Sequence, residues 1–594
     1  MRQTLLFGSA LIGWLAVSPV HAQTTTVRPA TGNRIILNGK TYTGSWIQSP
    51  PGDSATLAIS DGDLDDDFGL ALLDSNSPQS QPVQWFSGDS IPLTAQLPTS
   101  GVVRYLDISR LQAQFGWQAQ PRGNSLVINT GASQVRTIKS GIQPWGRRIV
   151  LDLTRPTPWR FTQLTNSRSG KTERSFTIAV DATLAPDATQ SLNTKAGGGL
   201  NSITAAPQGS QTLIQAKFSG AMRPEAWTLA NPPRLVIDIR PDPIRSRSIA
   251  WAPGITWRES VVALGARRFP ISWLEIAPKT AGLRILPIWG NDPSQIVGTH
   301  PLAFTSARMG AAASINAGFF DRKLQNPLGA VRRDGAWIST PILNRGVIAW
   351  NDTGQFQMGR MSLRELVKTS TGRTLTIVAQ NSGYPQRGIS RYTPNWGRTY
   401  IPVKKDGTEQ IYTVINNQVV SQTLSKGVAQ VPIPRNGYLL VARAFDASSF
   451  LTGGVSLQSE GLASTPSQFD QYPHIMGAGP LLVNNGRVVL NIASETFQKS
   501  FEAAAAPRSA IARRQDGTIL LAAAHNRVGG AGPTLREWAG LLQTLGSVDA
   551  LNLDGGSSTS LYLGGRLVDR HPSTAARVQN ALGIFLNQQQ QASQ

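Results

Sequence analysis

One run near the C-terminal end constrains the fold most, because it specifies a helix, a strand, a glycine turn and a second strand in that order. Thr534 and Glu537 form a capping box before a helix that Gly546 ends. An apolar, strand-like segment then stops at Asp554, and Gly555-Gly-Ser-Ser-Thr559 precedes a second apolar run. Paired glycines allow a close backbone approach, so this turn is able to present N–H and hydroxyl groups to a ligand. An ordinary hairpin turn explains the local pattern equally well.

The rest of the chain is dominated by short apolar runs separated by turn residues, a pattern typical of β-rich proteins. Glycine and proline are abundant, with 57 and 38 copies among the 594 residues. At roughly 100–200 residues per domain, this length predicts about three to five domains. The predicted fold class is multi-domain, with mainly β N-terminal modules followed by an α+β or α/β C-terminal domain of catalytic type.

The N-terminal end has the pattern of a signal peptide. Arg2 gives a short positive region, Leu5 to Val20 is mostly apolar, and Val20-His-Ala22 fits a cleavage site. No later run reaches the ~20 apolar residues that a membrane span needs. We therefore expect an exported protein, periplasmic or extracellular, without a transmembrane segment after cleavage.

The predicted domain boundaries follow changes of pattern along the chain. They give a signal peptide over residues 1–22, a β-rich module over 23–140, one or more β modules over 141–249, a catalytic-type domain over 250–588 and a disordered tail over 589–594. Within the second module, residues 185–211 are rich in Gly, Ser, Thr and Ala, which predicts a flexible segment.

Two features of the first module carry specific predictions. A short helix is expected from Ser109, as its N-cap, to Gly116. The acidic run Asp61 to Asp67 has carboxylates at alternate positions, as calcium loops do, but it lacks the glycine and the glutamate that such a loop requires. We therefore interpret this run as a solvated turn.

An imperfect repeat marks the second module, since Arg148-Ile-Val-Leu-Asp-Leu-Thr-Arg-Pro156 is echoed by Arg234-Leu-Val-Ile-Asp-Ile-Arg-Pro241. Each copy alternates apolar residues and ends at a proline, a pattern that an ordinary edge strand also explains. The copies resemble the key strand of AMIN-type modules, and Val103 to Asn129 resembles copper amine oxidase N-terminal-like modules. These resemblances imply placement at the cell envelope, with peptidoglycan as one partner, and they imply no copper chemistry.

The net charge and the absence of cysteine limit the kinds of partner and of chemical site that the chain can have. The net charge is +21, but the 56 Lys and Arg residues are scattered. Together with export, this scatter disfavours nucleic acid and favours acidic polymers of the envelope as partners. The absence of cysteine excludes disulfides, zinc–thiolate sites and thiol nucleophiles.

Compact polar motifs interrupt the apolar stretches of the C-terminal part, mostly at predicted strand ends. Any one of them also fits a satisfied turn or a surface arginine, whereas together they are what a shared pocket requires. The five histidines show no close pairing, so a zinc site of the His-Glu-x-x-His kind is excluded. The motifs are Ile315-Asn-Ala-Gly-Phe-Phe-Asp321, Met476 to Val483, Pro507-Arg-Ser509, His525-Asn-Arg527, Asp554 to Thr559 and Asn580-Ala-Leu-Gly583.

A series of these features resembles the phosphodiester glycosidase family over roughly residues 250–588. In order, the series is Ile315 to Phe320, Pro507 to Ala510, the helix over 534–546, Asn552 to Thr559 and Asn580 to Gly583. The resemblance implies a hydrolase that cleaves the glycosidic bond of a sugar-1-phosphodiester, such as an N-acetylglucosamine-1-phosphodiester. The family's Asp-Gly-Gly-Gly-Ser-Ser-Thr form appears here with one glycine fewer. We therefore expect an exported phosphodiester glycosidase that acts on a sugar-phosphate polymer or glycan of the envelope. The alternative is a non-catalytic carbohydrate- or wall-binding protein that keeps the same fold.

The reaction that the resemblance implies assigns roles to these residues. A carboxylate stabilises or attacks the oxocarbenium-like sugar, and an arginine binds the leaving phosphate. The predicted catalytic residues are Asp554 as nucleophile, base or electrostatic stabiliser, Asp321 as second carboxylate, Arg508 as phosphate clamp and His525 as acid or base. The predicted substrate-binding residues are Asn316, Gly318, Ser509, Arg527, Gly555, Gly556, Ser557, Ser558, Thr559 and Asn580. No cofactor is predicted, and a divalent metal such as calcium, like the choice between retention and inversion, stays open.

Overall fold

The computed structural model describes residues 31–48, 55–98, 101–168, 171–220, 222–241, 245–403, 407–527 and 529–586. The predicted signal peptide and tail lie outside these residues. Strands arranged in several sheets make up most of the regular structure, which confirms the predicted mainly β, multi-domain fold class. None of the helices in the described ranges combines the length and apolar character needed to cross a membrane.

The N-terminal region forms one nine-stranded sheet and two short helices. Its elements are β1 (Thr31–Leu37), β2 (Lys40–Gln48), β3 (Leu57–Ser60), α1 (Asp61–Phe68), β4 (Ala71–Leu72), β5 (Ser80–Gln84), β6 (Ile91–Gln96), β7 (Tyr105–Asp107), α2 (Ser109–Phe115), β8 (Gln118–Arg122) and β9 (Ser125–Asn129). The strand order is β4-β5-β6-β7-β3-β2-β1-β9-β8. Trp46, Trp85 and Leu106 are fully buried in its core.

The acidic run 61–67 is helical rather than a solvated turn, so that interpretation is wrong. Ser60 caps α1 by accepting a hydrogen bond from the Asp63 N–H at 3.0 Å. Asp61 is buried and accepts from the Arg104 guanidinium at 3.0 Å. The arginine partners of the run lie far away in the sequence, so the local pattern could not reveal them.

The helix predicted after residue 108 is present as α2. Gly116 ends it in the left-handed conformation, with φ of 71°. Ser109 is the first helical residue, so the N-cap position belongs to Ile108, one residue earlier than predicted. The Ser109 N–H donates instead to Asp107 Oδ1 at 2.7 Å.

The middle region contains a five-stranded and a four-stranded sheet. Its strands are β10 (Gln134–Gln143), β11 (Gly146–Leu153), β12 (Trp159–Arg168), β13 (Lys171–Val180), β14 (Thr183–Leu184), β15 (Leu200–Gln208), β16 (Gln211–Phe218), β17 (Arg223–Leu229) and β18 (Arg234–Arg240). The orders are β14-β10-β11-β18-β17 and β12-β13-β16-β15. Strand β10 crosses the domain boundary predicted at residue 140. The other domain boundaries stay predictions.

The two copies of the sequence repeat lie side by side as β11 and β18. Arg148 of one copy donates two hydrogen bonds of 2.7 Å to Asp238 of the other, a bidentate ion pair. Both strands are interior, so the edge-strand explanation is wrong, and the prolines simply follow the strand ends. The flexible segment predicted over 185–211 is also wrong in part, because residues 200–208 form β15, which pairs along the full length of β16.

The C-terminal region holds the remaining strands and three helices of the described chain. Its elements are β19 (Arg247–Ala252), β20 (Ile255–Leu264), β21 (Arg267–Ile276), β22 (Leu283–Trp289), α3 (Leu302–Met309), β23 (Ala313–Asn316), β24 (Val331–Arg333), β25 (Ala336–Ser339), β26 (Gly346–Trp350), β27 (Phe356–Arg360), β28 (Ser362–Thr369), β29 (Thr374–Gln380), β30 (Gly388–Tyr392), β31 (Thr399–Tyr400), β32 (Glu409–Ile415), β33 (Gln418–Leu424), β34 (Val431–Pro432), β35 (Gly437–Arg443), β36 (Leu457–Thr465), β37 (His474–Gly477), β38 (Leu481–Asn484), β39 (Arg487–Val488), α4 (Lys499–Ala503), β40 (Arg508–Arg514), β41 (Ile519–Ala524), α5 (Leu535–Thr544), β42 (Ser547–Asn552), β43 (Leu561–Leu563), β44 (Arg566–Leu567) and β45 (Asn580–Leu586).

Two sheets of this region pack face to face. They are an eight-stranded sheet, β19-β20-β21-β41-β40-β42-β38-β39, and a five-stranded sheet, β22-β45-β23-β43-β44. Ile511 and Leu551 of the first and Ile315 of the second share one core. The other face of the eight-stranded sheet lies under α5, through Trp538 and Leu542. Burial on both faces explains why β41 reads as a continuous apolar run.

Three further sheets complete the region, in the orders β25-β24-β37-β26-β27, β33-β32-β35-β30-β29-β28-β36 and β31-β34. The helix that the sequence predicts most sharply is α5, and its capping box is present. Thr534 Oγ1 accepts from the Glu537 N–H at 3.3 Å, and Glu537 Oε2 accepts from the Thr534 N–H at 2.9 Å. Gly546 follows the helix with φ of 86°, as predicted.

Candidate active site

The predicted site residues converge because strands of the two packed sheets end at one common edge. In the eight-stranded sheet, β41 and β42 end there and β40 begins there, since Arg508 pairs with Ala524. In the five-stranded sheet, β23 ends and β45 begins at the same edge, with Asn316 opposite Ala581. The antiparallel pairing therefore gathers motifs that lie far apart in the sequence.

Asn316 ties the two sheets together beside the Asp554 turn. Its Nδ2 donates to the Asp554 carbonyl at 2.6 Å, and its Oδ1 accepts from Ser509 Oγ at 2.8 Å and from the Ser560 N–H at 3.1 Å. Asn316 and Ser509 are fully buried. Both are predicted substrate-binding residues, but their polar side-chain atoms hold the turn in place.

Gly318 and Asn580 bring the backbone after β23 close to its neighbours. The Gly318 N–H donates to Asn580 Oδ1 at 2.7 Å. A Cβ on Gly318 would lie 2.9 Å from the Gly477 carbonyl oxygen, so a side chain does not fit without a shift of the backbone. These two predicted residues therefore fix the backbone at the edge of the site.

The glycine turn after Asp554 is held from two sides. Gly556 adopts φ of 66°, and its N–H donates to the Pro507 carbonyl at 2.8 Å. From the other side, the Arg570 guanidinium donates to the Thr559 carbonyl at 2.9 Å. The role of Arg570 cannot be predicted from the sequence, because nothing near it in the sequence marks the turn as its partner.

Asp554 presents a half-buried carboxylate at this edge. Burial raises the pKa of Asp554 to about 6, against the lowering effects of a hydrogen bond from the Ser558 side chain and of the Arg322 charge. Ser558 is buried, whereas Ser557 beside it is exposed. Arg322 is exposed and forms no ion pair within the described residues. A carboxyl group with this pKa is ionised at neutral pH and takes up a proton just below it.

Arg508 is a buried cation without a carboxylate partner among the described residues. Only 2% of it is exposed. Its Nε donates to the Pro533 carbonyl at 3.2 Å, its Nη2 donates to the Ala504 carbonyl, and its guanidinium lies 5.3 Å from the centre of the Phe501 ring. Burial lowers the pKa of Arg508 to about 10. A buried guanidinium of this kind is suited to bind an anion such as phosphate.

A second arginine, Arg345, flanks the same aromatic cluster. Phe319, Phe497 and Phe501 pack with ring centres 5.3–6.0 Å apart. The Arg345 guanidinium lies 4.1 Å from the centre of the Phe497 ring and makes no ion pair in the described part of the chain. Burial lowers the pKa of Arg345. The sequence alone does not identify Arg345, since its only signal is a lone arginine between two apolar runs.

Asp321 lies in the loop after β23 and stabilises that loop. Its Oδ1 accepts from the N–H groups of Lys323 and Leu324, at 2.8 and 2.7 Å. Within the described residues, Asp321 makes no hydrogen bond to Asp554. Its Oδ2 is left for other partners.

His525 and Arg527 follow the end of β41. His525 Nε2 lies 2.9 Å from Asp569 Oδ2, which makes a His–Asp pair at the edge of the site. Arg527 folds over its own loop, so that a Cβ on Gly530 would lie 2.6 Å from Arg527 Cζ. Asp569 Oδ1 accepts from the Leu561 N–H at 2.8 Å, just after the Asp554 turn. Among the described residues, no hydrogen bond joins His525 or Arg527 to the Asp554 carboxylate.

Two buried oxygens at the turn have no hydrogen-bond partner among the described residues, namely Asn552 Oδ1 and Thr559 Oγ1. Such groups are commonly satisfied by water or a ligand. The described residues contain no group of three or more His, Asp or Glu side chains placed to hold a metal ion.

The candidate site thus combines a half-buried carboxylate, Asp554, and a buried arginine, Arg508, at one glycine turn. Residues 409–585 match the phosphodiester glycosidase family. This stretch includes Arg508, Asp554 and Asn580, whereas Asn316 precedes it. This match confirms the predicted family for residues 409–585, a part of the chain.

Three solved structures are found to be similar to this chain. A hypothetical protein from Synechocystis is 42% identical, with a TM-score of 0.84 over 94% of this chain and 99% of that one. A protein from Burkholderia pseudomallei is 17% identical, with a TM-score of 0.45 over 75% of this chain and 98% of that one. The catalytic domain of zebrafish N-acetylglucosamine-1-phosphodiester alpha-N-acetylglucosaminidase, auto-inhibited by its pro-peptide, is 13% identical, with a TM-score of 0.30 over 57% and 85%. No curated protein matches the chain.

Proposed function

We propose that the protein is an exported hydrolase that cleaves the glycosidic bond of sugar-1-phosphodiesters in envelope or extracellular glycopolymers. The observation that carries the proposal is the placement of a carboxylate, Asp554, and an unpaired buried guanidinium, Arg508, on either side of one glycine. A Cβ on that glycine, Gly555, would lie 3.7 Å from Arg508 Cδ. The family match over residues 409–585 supports the reaction class.

The two groups suit the two halves of such a substrate. During cleavage, positive charge develops on the sugar ring, and the Asp554 carboxylate stabilises or attacks it. The departing phosphate gains negative charge, which Arg508 and Arg345 neutralise. Because phosphate is already a stable anion, this reaction needs less proton donation than the release of an ordinary sugar alcohol.

Asp321 and His525 are the secondary candidates in this proposal. Asp321 keeps one carboxylate oxygen free of the loop that it stabilises, which suits a second carboxylate or a partner for sugar hydroxyls. His525 is oriented by Asp569 and is proposed as an acid or base near the departing group.

Export and the nature of the polymer rest on the sequence. The pattern of residues 1–22 supports export, and the net charge of +21 supports an acidic polymer of the envelope as the substrate. We also propose that the N-terminal modules bind peptidoglycan, which a pull-down of the full chain on isolated peptidoglycan tests.

The test of the hydrolase uses the full-length protein and a panel of sugar-1-phosphodiesters that includes an N-acetylglucosamine-1-phosphodiester. Free sugar and phosphomonoester are expected in equal amounts. Asp554→Asn is expected to lower the rate at least about a hundredfold. Asp516→Asn, at an exposed turn after β40, is the matched control and is expected to keep the full rate. Binding without release of sugar across the whole panel would favour the non-catalytic alternative.

A further inference from the structure

A cleft of about 740 Å³ lies where the N-terminal sheet, the middle sheets and the eight-stranded sheet meet. Its walls include residues 69–74, 223–228 and 245–247, together with Trp159 and Glu259. None of these residues belongs to the Asp554 site. The volume falls in the range of about 300–1,000 Å³ that is common for ligand sites, which often form where domains meet.

Hydrogen bonds join the walls of the cleft to one another, so the cleft is already formed before a ligand binds. The Ser75 N–H donates to the Ser248 carbonyl, and the Ala250 N–H donates to the Ser75 carbonyl, both at 2.9 Å. The Phe86 N–H donates to Thr228 Oγ1 at 2.9 Å. These bonds join all three regions of the chain, and a ligand therefore meets a preorganised surface.

The charges of the cleft nearly cancel, in contrast to the net charge of +21 of the chain. Its lining includes four carboxylates and three guanidiniums. Several of them are paired within the wall, such as Glu225 with Arg245 at 2.8 Å. This balance does not attract a polyanion, but planar carboxylate and guanidinium groups are good partners for hydroxyl groups.

Two tryptophans in the cleft keep an indole N–H without an acceptor among the described residues, Trp159 and Trp227. Trp227 is flanked by the guanidiniums of Arg148 and Arg245, at 5.6 and 5.7 Å from its ring centre. A tryptophan held in this way gives the cleft a rigid aromatic wall. Both indole nitrogens are themselves covered by protein, so these residues serve the cleft through their rings.

Glu259 adds an acceptor to the same cleft. Its side chain is half-buried and makes no hydrogen bond or ion pair within the described residues. Arg247, Arg223 and His525 are close enough to affect its charge. Burial nevertheless raises the pKa of Glu259. A polyhydroxylated ligand would supply the hydroxyl donors that this carboxylate lacks.

We propose that this cleft is a second binding site, which takes an uncharged oligosaccharide. Aromatic rings, a carboxylate without a donor and planar charged groups with little net charge are the features that recognise such a ligand. The Arg223 guanidinium donates to the Asn526 carbonyl, next to His525, so the cleft wall touches the strand end beside the candidate active site. The proposal does not depend on the hydrolysis of phosphodiesters.

The test measures binding to the full-length Asp554→Asn variant by calorimetry, so that turnover does not interfere. The probes are a neutral N-acetylglucosamine tetramer and an inorganic polyphosphate. The tetramer is expected to bind, and Trp227→Ala is expected to weaken that binding about tenfold. Glu259→Gln, which keeps the size of the side chain, is expected to weaken it about threefold or more.

Trp145→Ala is the matched control, because Trp145 also stacks on Arg148, at 5.3 Å, but does not line the cleft. It is expected to leave the affinity for the tetramer unchanged, and melting curves check that all variants are folded. Three results would overturn the proposal: no binding of the tetramer, wild-type affinity for the tetramer in both Glu259→Gln and Trp227→Ala, or binding of polyphosphate alone. Each of these results leaves the hydrolase proposal standing, since no step of the test requires turnover.

Discussion

Arg566 and Asp65 lie 501 positions apart in the sequence and form an ion pair of 2.7 Å. Arg566 also pairs with Asp66 at 2.6 Å. Because Arg566 belongs to the hairpin of β43 and β44, these pairs attach helix α1 of the N-terminal region to the segment that follows the Asp554 turn. The N-terminal region is therefore part of the support of the candidate active site.

Arg566→Ala is expected to lower the free energy of unfolding by about 1–3 kcal/mol, because it removes the ion-pair partner of Asp66 and leaves Asp65 only the longer pair with Arg247, at 4.0 Å. Chemical unfolding of the full-length protein measures this loss. The matched control is Lys139→Ala, which removes an exposed pair with Asp152 of 3.3 Å. The control is expected to cost less than about 1 kcal/mol. Equal losses in the two variants would contradict the supporting role of Arg566.

Asp554→Asn is expected to stabilise the protein while it removes activity. The folded pKa of Asp554 is about 6, above its ordinary value of 3.8. Between these values the folded state holds the proton more tightly, so the stability of the wild type falls as the pH rises through this window. Asn carries no charge, and the variant is therefore expected to be more stable by about 1–3 kcal/mol above pH 6.

Below pH 4, the difference in stability between Asp554→Asn and the wild type is expected to vanish, since the carboxyl is then protonated in both states. Asp516 provides a control of opposite sign, because a hydrogen bond from Thr518 lowers its pKa. Asp516→Asn is expected to lose stability above pH 4. A stability gain of Asp554→Asn that does not change with pH would contradict this assignment of charge.

The fold and the site can be predicted from the sequence only where they depend on local patterns. The α5 capping box and the strand ends at Asp554 and Arg508 are local patterns, so they can be predicted from a short stretch. The partners of α1 and the place of Arg345 depend on contacts between distant segments, which no local period or spacing encodes. For the same reason, the sequence assigns Asn316 to the substrate, whereas the fold uses it as a link between two sheets.

The pH dependence of hydrolysis follows from the ionisation of Asp554 and Arg508. Activity is expected to fall below pH 6, where Asp554 takes up a proton, and above pH 10, where Arg508 loses its charge. Measurement of kcat/KM of the full-length protein from pH 4 to pH 11 detects both the loss of activity at low pH and the loss at high pH. Full activity maintained down to pH 4 would exclude Asp554 as the ionised catalytic group.

The two arginines on the phenylalanine cluster are expected to act on the phosphate. Arg508→Ala is expected to lower kcat/KM about 10²–10³-fold, because it removes a buried cation from the leaving group, and Arg345→Ala about tenfold or more. Added guanidinium ion is expected to restore part of the rate in Arg508→Ala. Steady-state kinetics with one sugar-1-phosphodiester measures all three effects.

Arg373 supplies the matched control for this prediction, since its guanidinium also stacks on a phenylalanine, Phe450, at 5.0 Å, but in another sheet. Arg373→Ala is expected to keep the wild-type kcat/KM. If Arg345→Ala and Arg373→Ala behaved alike while Arg508→Ala lost activity, the phosphate would be held by Arg508 without Arg345. If guanidinium ion restored nothing to a folded Arg508→Ala variant, the loss would reflect the packing of its side chain against Gly555 rather than its charge.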